Sequence, residues 1–252
     1  MEQVKIIPLK KELVLSYADE DIDLSPETKK QIEAYWAQLA AEGKKFTRGD
    51  VFHITKITED EKRMEINFCL TDYAHYMATI GRKISSKKER CQVVYSCVLI
   101  KTKDDFWVVG EMADNTSTPG RLQCPGGGIT KDDLVDKKII DIKKNAALEL
   151  FEEVGLKENE AQYNCTLGAK YIKSGGDYDF IGVVFLAEVA LTCDEVRKVF
   201  LNHNQELEKK GEQAELSDLV FIKNNKEKIE NFFRKNTKPY VDYLPQLLVI
   251  EA

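Results

Sequence analysis

Two stretches decide how this chain is read: Pro125-Gly126-Gly127-Gly128, and further along Leu148-Glu149-Leu150-Phe151-Glu152-Glu153-Val154-Gly155-Leu156. The first is a turn whose missing side chains let a backbone approach a ligand or a neighbouring strand closely. The second reads as the end of a helix, with Ile139, Ala146, Ala147, Leu150 and Val154 forming an apolar face at helical spacing. Steps of three and four residues make Glu149, Glu152 and Glu153 neighbours on that helix. Carboxylates packed within one turn repel one another unless something positive sits among them. Magnesium suits such a place, because it is a hard cation that takes a few carboxylates while keeping waters and substrate phosphates. Taken alone, three glutamates are an ordinary solvated helix face. Their position behind a glycine turn singles them out.

The rest of the composition narrows the setting. The chain has 252 residues, with 43% apolar and 32% charged side chains, enough for one large domain or two modest ones under a charged surface. Lys and Arg number 37 against 43 Asp and Glu, a net charge of -6, so a nucleic-acid partner held by phosphate contacts is not expected. No apolar run is long enough for a membrane span, and Met1-Glu2-Gln3-Val4-Lys5 lacks the pattern of a secretion signal. The six cysteines (Cys69, Cys91, Cys97, Cys124, Cys165 and Cys193) are scattered without a C-x-x-C pair. Reduced core thiols in a cytoplasmic protein are the expectation. Cys91 and Cys97, an even number apart on an expected strand, should face one side, toward the core.

Along the chain, Ser25-Pro26 starts a helix that runs through Ile32, Tyr35, Trp36 and Leu39 to Gly43. Strands are expected over 51–58 and 64–70, then a short helix after Asp72 that ends near Gly81. The charged stretch 85–90 marks the internal boundary: an α+β extension over residues 1–87 and a second domain over 88–252. That second domain begins with a hairpin of 91–101 and 106–112. After the carboxylate helix come strands at 165–172 and 179–190, a helix capped by Thr192, a strand at Leu219-Val220-Phe221-Ile222, a helix over 226–235 and a tail packed on the body.

The glycine turn and the carboxylate helix together resemble the signature of the Nudix hydrolases, G-x5-E-x7-R-E-U-x-E-E-x-G-U, where U is aliphatic. Gly127 matches its first glycine, and Glu149, Leu150, Glu152, Glu153, Gly155 and Leu156 match its second half. The resemblance implies an α/β/α sandwich with a mixed sheet, and divalent metal binding by Glu149, Glu152 and Glu153. Two features depart from the pattern. Gly127 and Glu149 stand 22 positions apart where the pattern has 15, leaving Asp133 as the nearest stand-in for the first glutamate, and Leu148 replaces the arginine. These departures, with Leu70-Thr71-Asp72-Tyr73, Gly120-x-Leu122-x-x-Pro125-Gly126-Gly127 and Glu195-Val196-Arg197-Lys198, look similar to the animal Nudix proteins that hydrolyse UDP-glucose and UDP-galactose. Those proteins also carry a long N-terminal extension.

What the resemblance implies is a magnesium-dependent pyrophosphohydrolase, with manganese as an alternative ion, that splits a UDP-sugar into UMP and a sugar 1-phosphate. An ADP-ribose or dinucleotide pyrophosphatase fits the same site, and so does a binding module that has lost turnover. Glu152 and Glu153 are the expected catalytic carboxylates, joined by a late-loop glutamate. Glu206, Glu208, Glu212 and Glu215 are the choices for that last role, and the subgroup resemblance favours Glu215. Gly126, Gly127 and Arg121 are the expected substrate contacts, since a guanidinium pairs well with phosphate oxygens. His53, His75 and His203 share no ligand spacing and read as surface or partly buried residues. Tyr73, Tyr76 and Trp36, at helical spacing, read as core.

Overall fold

Local chemistry sets the elements. A computed structural model describes residues 2–252 of the chain. Its order is β1 (Glu2–Pro8), β2 (Glu12–Asp21), α1 (Pro26–Ala41), β3 (Asp50–Glu59), β4 (Arg63–Asp72), α2 (Tyr73–Ile80), β5 (Val94–Lys101), β6 (Phe106–Met112) and β7 (Leu122–Gln123). Then come β8 (Leu134–Val135), β9 (Ile139–Ile140), α3 (Ile142–Val154), β10 (Thr166–Gly176), β11 (Ile181–Glu188), α4 (Cys193–Lys210), β12 (Leu216–Lys223), α5 (Lys226–Lys235) and α6 (Leu244–Ile250). Ser25 caps α1 by accepting from the Thr28 amide, and Pro26 stands in the first turn, where its missing N–H costs nothing. Asp72 caps α2 through the His75 amide, and Thr192 with Glu195 closes a reciprocal capping box on α4.

The strands form two mixed sheets. The larger has the order β1-β10-β11-β5-β6-β12, with β7 added beside β6, and its central pair, β11 and β5, runs parallel. Alternation along β5 and β6 splits the side chains between two layers. Val94, Val98, Ile100 and Val108 pack with Ala146, Leu150 and Val154 of α3 and Val196 and Phe200 of α4. Cys97, Leu99, Trp107 and Val109 pack on the opposite side with Ile229 of α5 and Leu244, Leu247 and Leu248 of α6. Helices therefore cover both faces, the α/β/α layering expected from sequence, and the C-terminal tail is buried core.

The smaller sheet, β3-β4-β2-β9-β8, shares the first of these cores through Leu15, Phe52, Ile54, Ile66 and Phe68. Strand exchange crosses the expected boundary at 87/88 in both directions. β1 pairs antiparallel with β10 in the larger sheet, while β9 pairs with β2 in the smaller one. Neither β1 nor β2 is expected from the sequence reading. Ile139 is also corrected: it lies in β9 and is exposed, so the apolar face of α3 begins instead with Ile142, followed by Ala146. Cys91 precedes β5 and packs with Val93 and Phe180, whereas Cys97 packs in the α5–α6 layer, so the two thiols do not share a side. No helix among the described residues is long and apolar enough to cross a membrane.

Candidate active site

The glycine turn is seated on β5. The Ser96 amide donates to the Gly127 carbonyl (2.9 Å) and the Val98 amide to the Pro125 carbonyl (2.7 Å). Gly126 has φ +150°, and a Cβ there would stand 2.1 Å from the Ser96 carbonyl oxygen, so only glycine fits. Gly127 meets the carboxylate helix directly: a Cβ on it would be 2.2 Å from Glu149 Oε1. One turn later, the Gly126 amide donates to Glu153 Oε2 (2.9 Å). The turn and α3 are thus in contact at two glutamates.

These side chains differ in exposure. Glu153 is buried, with 3% of its surface accessible, Glu149 is half-buried, and Glu152 faces solvent. Glu215, exposed in the loop just before β12, lies close enough for its charge to act on all three. Burial first, then Glu215, Glu152 and Asp133, raise Glu149 to about 7. Burial and the Glu149 charge raise Glu153 well above the usual carboxylate range, against the opposing effect of the Gly126 hydrogen bond. Glu152 is raised by burial and by Glu215, and His203 pulls it back. Crowded by burial, by one another and by the Glu215 charge, Glu149, Glu152 and Glu153 disfavour their ionised forms, a repulsion that a nearby cation would relieve.

The donor chemistry fits a hard divalent cation, since every group is a carboxylate oxygen. Among the described residues, no three such side chains are yet set around a single point as a closed shell. Glu153 is turned onto the Gly126 amide, and the remaining carboxylates repel one another.

The other expected residues fall as follows. Arg121 immediately precedes β7. Its Nη2 donates to Gln123 Oε1 (2.7 Å), its Nε is buried without a hydrogen-bond partner, and its charge acts on the Tyr76 phenol. Glu206 and Glu208 lie at the end of α4, near the late loop rather than in it, and Glu212 is exposed beyond the helix end. Tyr76 stacks on Tyr73 and on Phe180. His75 is corrected from a partly buried to a fully buried residue, bonded to Thr71 and to the Glu89 carbonyl. His53 accepts from the Gln92 amide, and burial lowers it to about 4.

Sequence reasoning misses His203. Its Nε2 donates to the Glu152 carbonyl (2.8 Å), and its ring packs on Phe151 (5.2 Å). Gly155, at φ +82°, ends α3 beneath it, and a Cβ there would be 2.7 Å from the His203 Cβ. Nothing in the linear pattern links His203 to α3, because the contact is made across two helices.

Neither a family model nor a curated protein matches this chain. Solved structures do. The MutT protein from Methanosarcina mazei Go1 is 15% identical with a TM-score of 0.36, over 62% of this chain and 90% of that one. The Nudix domain of Shewanella oneidensis NrtR, complexed with ADP ribose, is 13% identical with a TM-score of 0.38, over 71% and 95%. A bifunctional NMN adenylyltransferase/ADP ribose pyrophosphatase from Francisella tularensis is 14% identical with a TM-score of 0.41, over 70% of this chain and 46% of that one. What this chain does has to be read from its own residues.

Proposed function

We infer that this chain is a divalent-cation-dependent Nudix-type hydrolase acting in the cytoplasm. It cleaves the diphosphate of a nucleoside diphosphate linked to another group, a UDP-sugar first, to give UMP and a sugar 1-phosphate. The observation that carries this reading is the convergence of Glu149, Glu152, Glu153 and Glu215 beside a glycine turn that admits only backbone. In this reading Glu149, Glu152 and Glu153 hold Mg2+ or Mn2+. A bound cation supplies charge neutralisation on the diphosphate and a more acidic water.

Each side chain then has one task. Glu215, exposed at the rim, takes the proton of the attacking water, with Glu152 and Glu153 fixing that water's place. Gly126 and Gly127 let the diphosphate lie against the turn without side chains in the way. Arg121 pairs with a phosphate oxygen through a guanidinium that is already half desolvated. Attack falls on phosphorus, where the developing charge is stabilised. The first 87 residues shape one wall of the pocket.

The test is a panel of UDP-glucose, UDP-galactose, ADP-ribose and a dinucleoside polyphosphate, with Mg2+, with Mn2+ and with chelator. UDP-sugar turnover that stops on chelation is expected. Turnover of ADP-ribose alone keeps the mechanism and moves the substrate. Nucleotide binding without hydrolysis of any member contradicts the reading and makes the chain a binding module.

A further inference from the structure

Three buried polar residues lie next to the site without belonging to it. Ser96, Asn145 and Asp133 are 0%, 2% and 1% exposed, and each comes from a different part of the fold: β5, the first turn of α3, and the segment between the glycine turn and that helix. Ser96 Oγ donates to Asn145 Oδ1 (2.6 Å). Asn145 Nδ2 donates to Asp133 Oδ2 (3.2 Å) and to the Gly128 carbonyl (3.3 Å). Asp133 also accepts from the Thr130 amide (2.7 Å), and burial raises its carboxyl above the ordinary range. Burying this many polar groups is costly unless every partner is met, and here the partners are met by one another.

The network's placement gives it a task. Ser96 is the residue whose amide holds Gly127 and whose carbonyl oxygen occupies the space a side chain on Gly126 would need. Its hydroxyl reaches the first turn of α3, and Asn145 reaches Gly128, the last residue of the turn. The helix is therefore pinned to the glycine turn at its start by Asn145 and near its end by Glu153, with Glu149 held between the two pins.

We propose that Asn145, with Ser96 and Asp133, is a positioning residue. It sets the distance between the carboxylate helix and the glycine turn, and so the placement of Glu149 and Glu153. The geometry of this pin does not depend on any activity. Its consequence for cation affinity and turnover rests on the hydrolase reading.

Asn145→Ala and the gentler Ser96→Ala test it, with Thr79→Val, a buried substitution on α2 outside this network, as a control for lost stability. In metal-free protein at a temperature where each variant is folded, NMR follows the Gly126 amide shift and its hydrogen exchange relative to Val184 in β11. Release of the pin should move the Gly126 shift and speed its exchange about tenfold or more in both site variants, and not in the control. Mn2+ titration and steady-state kinetics form the second arm. Affinity and kcat should fall about 10- to 100-fold, with KM little changed. A Gly126 response together with wild-type protein that neither binds Mn2+ nor turns over nucleotides supports the pin and removes the hydrolase reading. A Gly126 amide that behaves as in wild type in both variants overturns the proposal, whatever happens to the melting temperature.

Discussion

The amide of Gly126 donates to the buried carboxylate of Glu153 across 2.9 Å, joining the glycine turn to the second-last residue of α3. This bond holds a carboxylate in a place where burial and Glu149 both oppose its charge. Keeping an ionised carboxylate there costs folding stability, and a neighbouring cation would offset that cost.

Glu153→Gln separates those two effects. The amide oxygen of glutamine still accepts from Gly126, and one repelling charge is gone. Turnover should fall about 100-fold or more, while the melting temperature in chelator stays level or rises. Turnover near that of wild type removes Glu153 from the metal set.

Glu215→Gln addresses the base. As the proton acceptor for water, Glu215 is worth about 100-fold in kcat; as a solvated loop carboxylate it is worth almost nothing. Because it is exposed and ahead of β12, the change should leave the melting temperature alone. Activity within about twofold of wild type passes the role to another carboxylate.

The acidity of Glu149 makes stability fall with rising pH. Its folded value is about 7 against an ordinary 4.5, so the folded chain keeps a proton that the unfolded chain has already released. That contribution is whole below the unfolded value and is lost as pH rises through the folded one. His53, depressed to about 4, acts the other way and is lost as pH falls through that value, so the comparison must be between wild type and Glu149→Gln. Melting curves in chelator should drop more steeply for wild type between about pH 5 and about pH 8. Parallel curves would show that Glu149 titrates normally.

Gly126→Ala tests the turn. A methyl group there meets the Ser96 carbonyl, and φ +150° strains any side chain, so backbone has to move. A loss of about 1–3 kcal/mol and of most activity is expected. An alanine variant as stable and active as wild type would mean that the turn does not sit on β5 as described.

Much of this was legible in the sequence because the signals are local. Ser25, Asp72 and Thr192 announce their helices, and the spacing of Glu149, Glu152 and Glu153 puts them on one helix. β1 and β2 escape such reading because each finds its partner far along the chain, in β10 and in β4 and β9. The short β8–β9 hairpin hides for a different reason: Ile139 continues the helical spacing of α3 while standing outside it. Glu215 joins the carboxylates only through the position of β12, so resemblance singled it out where spacing could not. Asn145, Ser96 and His203 act through contacts across elements, and a linear pattern does not carry those.

Hydrolysis of UDP-glucose in oxygen-18 water with Mg2+, both products weighed by mass spectrometry, tests the central claim most directly. Attack at phosphorus predicts UMP and glucose 1-phosphate, with the label on one phosphate and none on the sugar carbon. Release of UDP with labelled free glucose would contradict it.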